Sequence, residues 1–299
     1  MFPILTEEQA AVVDRLVATE TPAIVAFRRL EFPIVGKHLP QQHDQRKHGR
    51  PAMATVAMAE PPAAAAAVAK VIRTDTQADW DKVGARRPTD EELQAAYGLD
   101  GIQTEISVYT KNINGEDRLF VDVNAQVSQA IPGAQIRVMR RVFAKVTVPT
   151  VLHSNFELPT AFQQSGIGSK MLERSEALYR KIGIERIILT ANSSVGKYAW
   201  ARMGFDFAGA DDRRITVDRF YNYLSYHGVP PNMWPETVSH PWEIAAWKPP
   251  KPGNFSPSIS GKDFLLAEAP SYEAAKNLND DDIGYQIGQA YYAEKNKHS

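Results

Sequence analysis

A chain of 299 residues with 43% hydrophobic content is long enough to bury a sizeable core, as one large domain or two smaller ones. The absence of cysteine excludes disulfides, a thiolate nucleophile and Cys-ligated zinc. A net charge of −1 gives none of the basic footprint that nucleic-acid binding calls for.

The first residues, Met1 to Leu5, run straight into polar Thr6-Glu7-Glu8-Gln9, and no apolar run reaches the roughly eighteen residues of a membrane span. Neither a signal peptide nor a membrane segment is expected, which makes a cytoplasmic setting the default. Thr6 and Gln9 form a capping box for a first helix whose apolar stripe is Ala10, Val13, Leu16 and Val17. From Phe32 to Pro51 the chain is loop-like and basic, with His38, His43 and His48; without a carboxylate at ligand spacing it reads as a solvated loop, and no metal is expected. The low-complexity stretch from Ala52 to Ala69 follows, with Pro61-Pro62 ahead of five alanines; it suits either an alanine helix or a linker.

A second capping box, Thr89 to Glu92, opens a helix that ends near Tyr97-Gly98. The period then changes to two. Thr104 to Tyr109 alternates, Asn114-Gly115 makes a hairpin turn, Arg118 to Val127 alternates back, and Gln135 to Val148 is β-like again. A further strand is predicted from Val151 to Leu158. Simple alternation along it sets His153, Asn155 and Glu157 on one face, with Leu152 and Phe156 on the other.

Next comes Gln163-Gln164-Ser165-Gly166-Ile167-Gly168-Ser169, then a helical pattern with Met171, Ser175, Leu178 and Ile182 on one face. A Gly-rich entry to a helix leaves backbone N–H groups free at the positive end of the macrodipole, a setting that suits a phosphate or pyrophosphate. The spacing fits neither the dinucleotide fingerprint nor the P-loop, since no third glycine and no Gly-Lys-Ser/Thr follow. Ile184 to Ala191 reads as a buried strand, and Val195 to Met203 as a short helix that ends at Gly204-Phe205.

Gln163-x-x-Gly166-x-Gly168 between an apolar strand and a helix, with the later strand and the helix-Gly-Phe, resembles motif A and part of motif B of the GCN5-related N-acetyltransferases. The resemblance covers about a fifth of the chain. It implies an α+β fold with a mixed, mostly antiparallel central sheet flanked by helices, spanning residues 100–226 as an acyl-CoA-binding core. Residues 1–99 are then an N-terminal helical and low-complexity extension, and 227–299 a Pro/Trp-rich arm and tail. That arm, with Pro230-Pro231, Trp234-Pro235, Pro241-Trp242 and Pro249-Pro250, reads as an extended segment that packs on the domain or on a partner subunit.

The same resemblance implies acetyl-CoA as co-substrate and an amine, small-molecule or macromolecular, as acceptor. It places the pyrophosphate on Gln164, Ser165, Gly166, Ile167, Gly168 and Ser169, beside Gln163, and the pantetheine arm along Phe156 and Leu158. Asn192 is similar to a cofactor-contacting asparagine of the family, one residue out of place. Glu157 is the candidate base and His153 its rival. The family's tyrosine, which protonates the leaving thiolate, falls on Trp200 here, and the nearest tyrosine is Tyr198, about 200° away around an ideal helix. That departure sets up the alternative of a catalytically silent binding or structural module, for instance in a phage or a larger bacterial assembly.

Overall fold

A computed structural model describes residues 69–99, 103–126, 135–145, 147–156, 166–192, 194–249 and 259–296. The predicted first helix, the histidine-rich loop, the alanine segment up to residue 68, and Glu157, Leu158, Gln163, Gln164 and Ser165 lie outside the described residues. By contacts the chain divides into two units; one holds residues 66–111 and 117–299, the other 1–65 and 112–116. Of the second unit, the described part is the hairpin tip. Asn114 and Gly115 both have positive φ there, 50° and 89°, as a primed two-residue turn demands, and the Gly115 amide donates to Asn112 Oδ1 at 3.0 Å.

Eight strands form one mixed sheet: β1 (Lys70–Arg73), β2 (Gln103–Ile113), β3 (Glu116–Gln126), β4 (Gln135–Lys145), β5 (Pro149–Phe156), β6 (Arg186–Ala191), β7 (Asp206–Phe207) and β8 (Tyr272–Asn277). Their order is β1-β2-β3-β4-β5-β6-β8-β7. β3, β4 and β5 pair antiparallel, β5 and β6 pair parallel, and β8 is antiparallel to both β6 and β7. The helices are α1 (Gln77–Lys82), α2 (Asp90–Tyr97), α3 (Ile167–Ile182), α4 (Ser194–Arg202), α5 (Ala210–Tyr226), α6 (Pro241–Ala246), α7 (Gly261–Ala267) and α8 (Ile283–Asn296). The architecture is therefore α+β, with a meander running into a strand–helix–strand unit.

Local signals set several of these boundaries. The capping box at α2 is closed in both directions, Glu92 N–H to Thr89 Oγ1 at 3.2 Å and Thr89 N–H to the Glu92 carboxylate at 2.9 Å. α3 starts at Gly166 and stops at Gly183, both left-handed, with φ of 81° and 90°. Its predicted face is buried, and Glu176 and Tyr179 go inside with it.

Burial on one side of the sheet is anchored by Trp80, fully buried on Phe143 with ring centroids 4.9 Å apart. Its indole N–H donates to Asp75 Oδ2 at 2.7 Å, and Arg73 and Arg87 close on the same carboxylate. Bonds to those guanidinium and indole groups outweigh desolvation and hold the Asp75 carboxyl far below the usual carboxylate range. Its stabilisation is therefore complete above the unfolded pKa near 3.8 and lost as pH falls through the folded value. Asp75→Asn is expected to cost about 3 kcal/mol in urea unfolding at pH 7, and the gap to wild type should narrow below about pH 4.

The described residues between 208 and 271 leave the sheet between β7 and β8 and build a second core from Phe220, Tyr223, Leu224, Ile244, Phe264 and Leu265. The proline- and tryptophan-rich stretch belongs to it and is not extended. It folds into a 3-10 turn (Pro231–Met233) and α6, with Trp234 stacked on Tyr221 at 5.6 Å and Trp247 edge-on to Phe220 at 5.6 Å. Proline is tolerated at a helix start, which reconciles Pro241 with α6. The tail beyond it supplies β8 to the interior of the sheet, so strands from both sides of 100–226 complete the sheet.

Candidate functional site

β5 and β6 pair from Thr150–Arg186 as far as His153–Leu189 and no further. Beyond that point β5 stays with β4 to Phe156, and β6 stays with β8 to Ala191. Each parallel strand thus follows its antiparallel neighbour, and a notch opens between Ser154–Phe156 and Thr190–Ala191. The two strands present their carboxyl ends here, the edge at which open α/β units take ligands.

α3 brings its N-terminus to the same edge. Its last turn precedes the start of β6, and sixteen residues at about 1.5 Å each carry it back across the sheet's height. Gly166 at its N-cap offers no capping side chain, and Gly166 to Lys170 are half-buried. The first turn of α3 thus stands at the mouth of the notch, a helix N-terminus suited to a phosphate-sized anion. Of the predicted anion-binding run, Gly166, Ile167, Gly168 and Ser169 are described and lie together. Asn192 follows β6 at the same edge and is exposed.

A bulge reshapes β5 just before the notch. Arg141 pairs with His153 but Arg140 with Asn155, so the register shifts by one residue at Ser154. Alternation breaks there, and the face assignment made from simple alternation is corrected: Phe156 turns to the same side as His153. The Phe156 ring meets Trp200 of α4 edge-on at 6.0 Å, and Trp200 continues onto Phe205 at 5.3 Å. Tyr198, on another side of α4, packs against the second core with Lys262 Nζ 5.5 Å over its ring. Trp200 therefore forms the wall of the notch, and Tyr198 does not.

His153 is 5% exposed, its Nε2 3.2 Å from the Tyr179 hydroxyl, which in turn accepts from the Tyr97 hydroxyl at 3.1 Å. Burial first, then the positive charges of Arg141 and Lys276, push its pKa well below the ordinary histidine value. A ring closed inside the core and kept neutral is placed to hold the Tyr179 hydroxyl, not to meet an incoming amine. Because the folded pKa is lowered, the unfolded chain takes up a proton that the folded one refuses, and stability drops as pH falls below about 6.5 by up to ~1.4 kcal/mol per unit. His153→Gln, which keeps a polar partner for Tyr179 but does not titrate, should flatten that loss in urea unfolding between pH 6.5 and 5.

Sequence reasoning passed over the rest of this polar interior. Arg141 is 1% exposed, with Tyr179 and Tyr97 beside it. Further along α3, Glu176 and Lys276 form a buried ion pair at 2.7 Å. The signal for both was present, a charged residue within a β-like apolar run and a carboxylate beside the buried stripe of a helix.

A groove of about 620 Å³ lies at the start of β6, lined by Arg180, Glu185, Asn277 and Asp280 to Asp282. Its polar groups already serve the fold: Arg180 binds Asp280 at 2.8 Å, and Asp282 accepts from Asn277 at 3.0 Å and from the Tyr285 amide at 3.1 Å. Among the described residues no group of three or more side chains is set to hold a metal ion, and no helix is long and apolar enough to cross a membrane.

Fold and notch together define a mixed-sheet α+β protein with a glycine-led helix facing the gap between two parallel strands. No protein-family model matches the chain, and no curated protein matches it. Among solved structures it is similar to a nourseothricin acetyltransferase, at 14% identity over 42% of this chain and 84% of that one, with a TM-score of 0.24.

Proposed function

We propose that the chain is an acyl-CoA-dependent N-acyltransferase that uses acetyl-CoA and transfers the acyl group directly to an amine. The observation that carries this reading is the parting of β5 from β6 at His153–Leu189, with the glycine-led start of α3 at the same edge. A pyrophosphate suits the amides of residues 164–169, with Gln163 as a neutral hydrogen-bond partner. The notch at Phe156 suits the thin pantetheine arm, for which Phe156 and Leu158 are our candidate contacts and the parted strands the backbone partners. Asn192, exposed just after β6, is our candidate for a contact with the same arm.

Direct transfer needs a base for the acceptor amine and a proton for the departing thiolate. Glu157, the next residue after Phe156, is our candidate base. Trp200 carries only an indole N–H and cannot give up a proton, so the thiolate takes its proton from water, with Tyr198 the remaining side-chain candidate. The acceptor is a small-molecule or macromolecular amine, and the setting is cytoplasmic, where acyl-CoA is available.

The half-buried Trp200, edge-on to Phe156 where the resemblance calls for a hydroxyl, favours the second reading of a catalytically silent binding or structural module. The two separate in a thermal-shift series with acetyl-CoA, CoA and ATP, because a ligand that binds only the folded state raises the midpoint. A shift with both CoA species and none with ATP supports the site, and release of CoA from acetyl-CoA in an amine screen then distinguishes enzyme from module. No shift with either CoA species overturns the acyltransferase reading and leaves the glycine turn a structural element of the module.

A further inference from the structure

We propose that Arg141 is the positioning residue that fixes the open end of the notch, because it clamps the bulge that turns Phe156 toward Trp200. The functional half of this proposal rests on the notch being the acyl-CoA site.

The position makes little sense as packing alone. Arg141 sits on β4 opposite His153, on the side of the sheet where Phe143 meets Tyr179 edge-on at 6.0 Å, and an aliphatic side chain would fill that layer without the cost of desolvating a charge. What the guanidinium adds is reach. Its Nη1 donates to the Asn155 carbonyl at 3.2 Å, on the far side of the register shift. Its other anchor is the hydroxyl of Tyr179, which is itself fixed by Tyr97 and His153. One planar group therefore ties the backbone beyond the bulge to α3 and α2.

The consequence follows from strand parity. His153 and Phe156 are three residues apart, and in a regular strand such residues point to opposite faces. They share a face here because the register shifts between Arg141–His153 and Arg140–Asn155. If β4 and β5 re-pair without the bulge, every side chain beyond Ser154 changes face, Phe156 leaves Trp200, and the wall of the notch goes with it.

The test is amide hydrogen exchange on the full chain, read at Ser154 to Phe156 and at Ile187 to Leu189, with CoA calorimetry alongside. In Arg141→Met the amides of 154–156 should exchange at least tenfold faster while those of 187–189 keep their rates, and CoA affinity should fall at least tenfold. Arg141→Lys retains a donor and should recover part of both. Unchanged exchange at 154–156, or an equal loss of protection throughout the sheet, overturns the proposal. If Arg141→Met does not fold, Tyr179→Phe removes the second anchor with one atom and is read in the same way. Should wild type bind no CoA while the exchange pattern holds, the acyl-CoA reading fails and the clamp stands.

Discussion

Lys276→Met should destabilise the protein by about 3–5 kcal/mol at pH 7, measured by urea unfolding, because it strands a buried carboxylate. The Lys276 ammonium and the Glu176 carboxylate are 0% and 1% exposed. Lys276 also donates to the Met203 carbonyl at 2.9 Å and lies within 5.7 Å of the ring centres of Phe205, Tyr285 and Tyr292. In the variant Glu176 keeps a bond from the Tyr292 hydroxyl, at 2.9 Å, and a longer contact to Gln289. Burial already pushes the Glu176 carboxyl up and the neighbouring ammonium pulls it back, so removing Lys276 leaves the Tyr292 bond as the main remaining opposition to that push. A group whose folded pKa lies above its unfolded one gains stability as pH falls, and the deficit should therefore shrink between pH 7 and 5. Glu176→Gln combined with Lys276→Met should recover a large part of the loss. A single-variant cost below about 1 kcal/mol would falsify the view that this pair ties α3, β8 and α8 together.

Gly168→Glu is expected to weaken CoA binding by at least about a hundredfold, ~2.7 kcal/mol, without loss of the fold. The new carboxylate enters the first turn of α3 and meets a phosphate at the helix N-terminus with like charge. Glycine inside a helix is a poor former, so the substitution should hold or raise the melting temperature by contributing roughly 0.5–1 kcal/mol to the helix. Opposite signs on binding and stability separate the effect from misfolding. Calorimetry that finds wild-type affinity in Gly168→Glu removes this turn from the donor site.

What could be read from the residues followed local chemistry. The α2 capping box, the Asn114-Gly115 turn and the buried face of α3 each depend on a few neighbouring side chains, and the structure has all three. β8 escaped notice because it is covered on both faces, so no alternation shows, and because it carries Glu273 and Lys276 into the interior on bonds to Thr190 and Glu176. The bulge at Ser154 was equally hidden. It is set by Arg141 and the register of another strand, and one skipped residue was enough to exchange the faces of β5. The opposite orientations of Tyr198 and Trp200, in contrast, followed from their spacing alone, and only the structure shows which of them meets Phe156.

The place of β8 in the sheet has a consequence for how the protein is made. Among the described strands β7 has only β8 beside it, and β6 has β8 on its outer side, yet the ribosome delivers Tyr272–Asn277 after residues 208–271 have emerged. Until then Ile187, Ile188 and Leu189 form an open apolar edge in the nascent chain, the kind of edge that recruits strands from other chains. The second core, built from residues in between, has time to gather first. A cell that pauses translation before residue 272 should therefore accumulate an aggregation-prone intermediate, and one that reads through releases a chain whose last strand slides between two that are waiting for it.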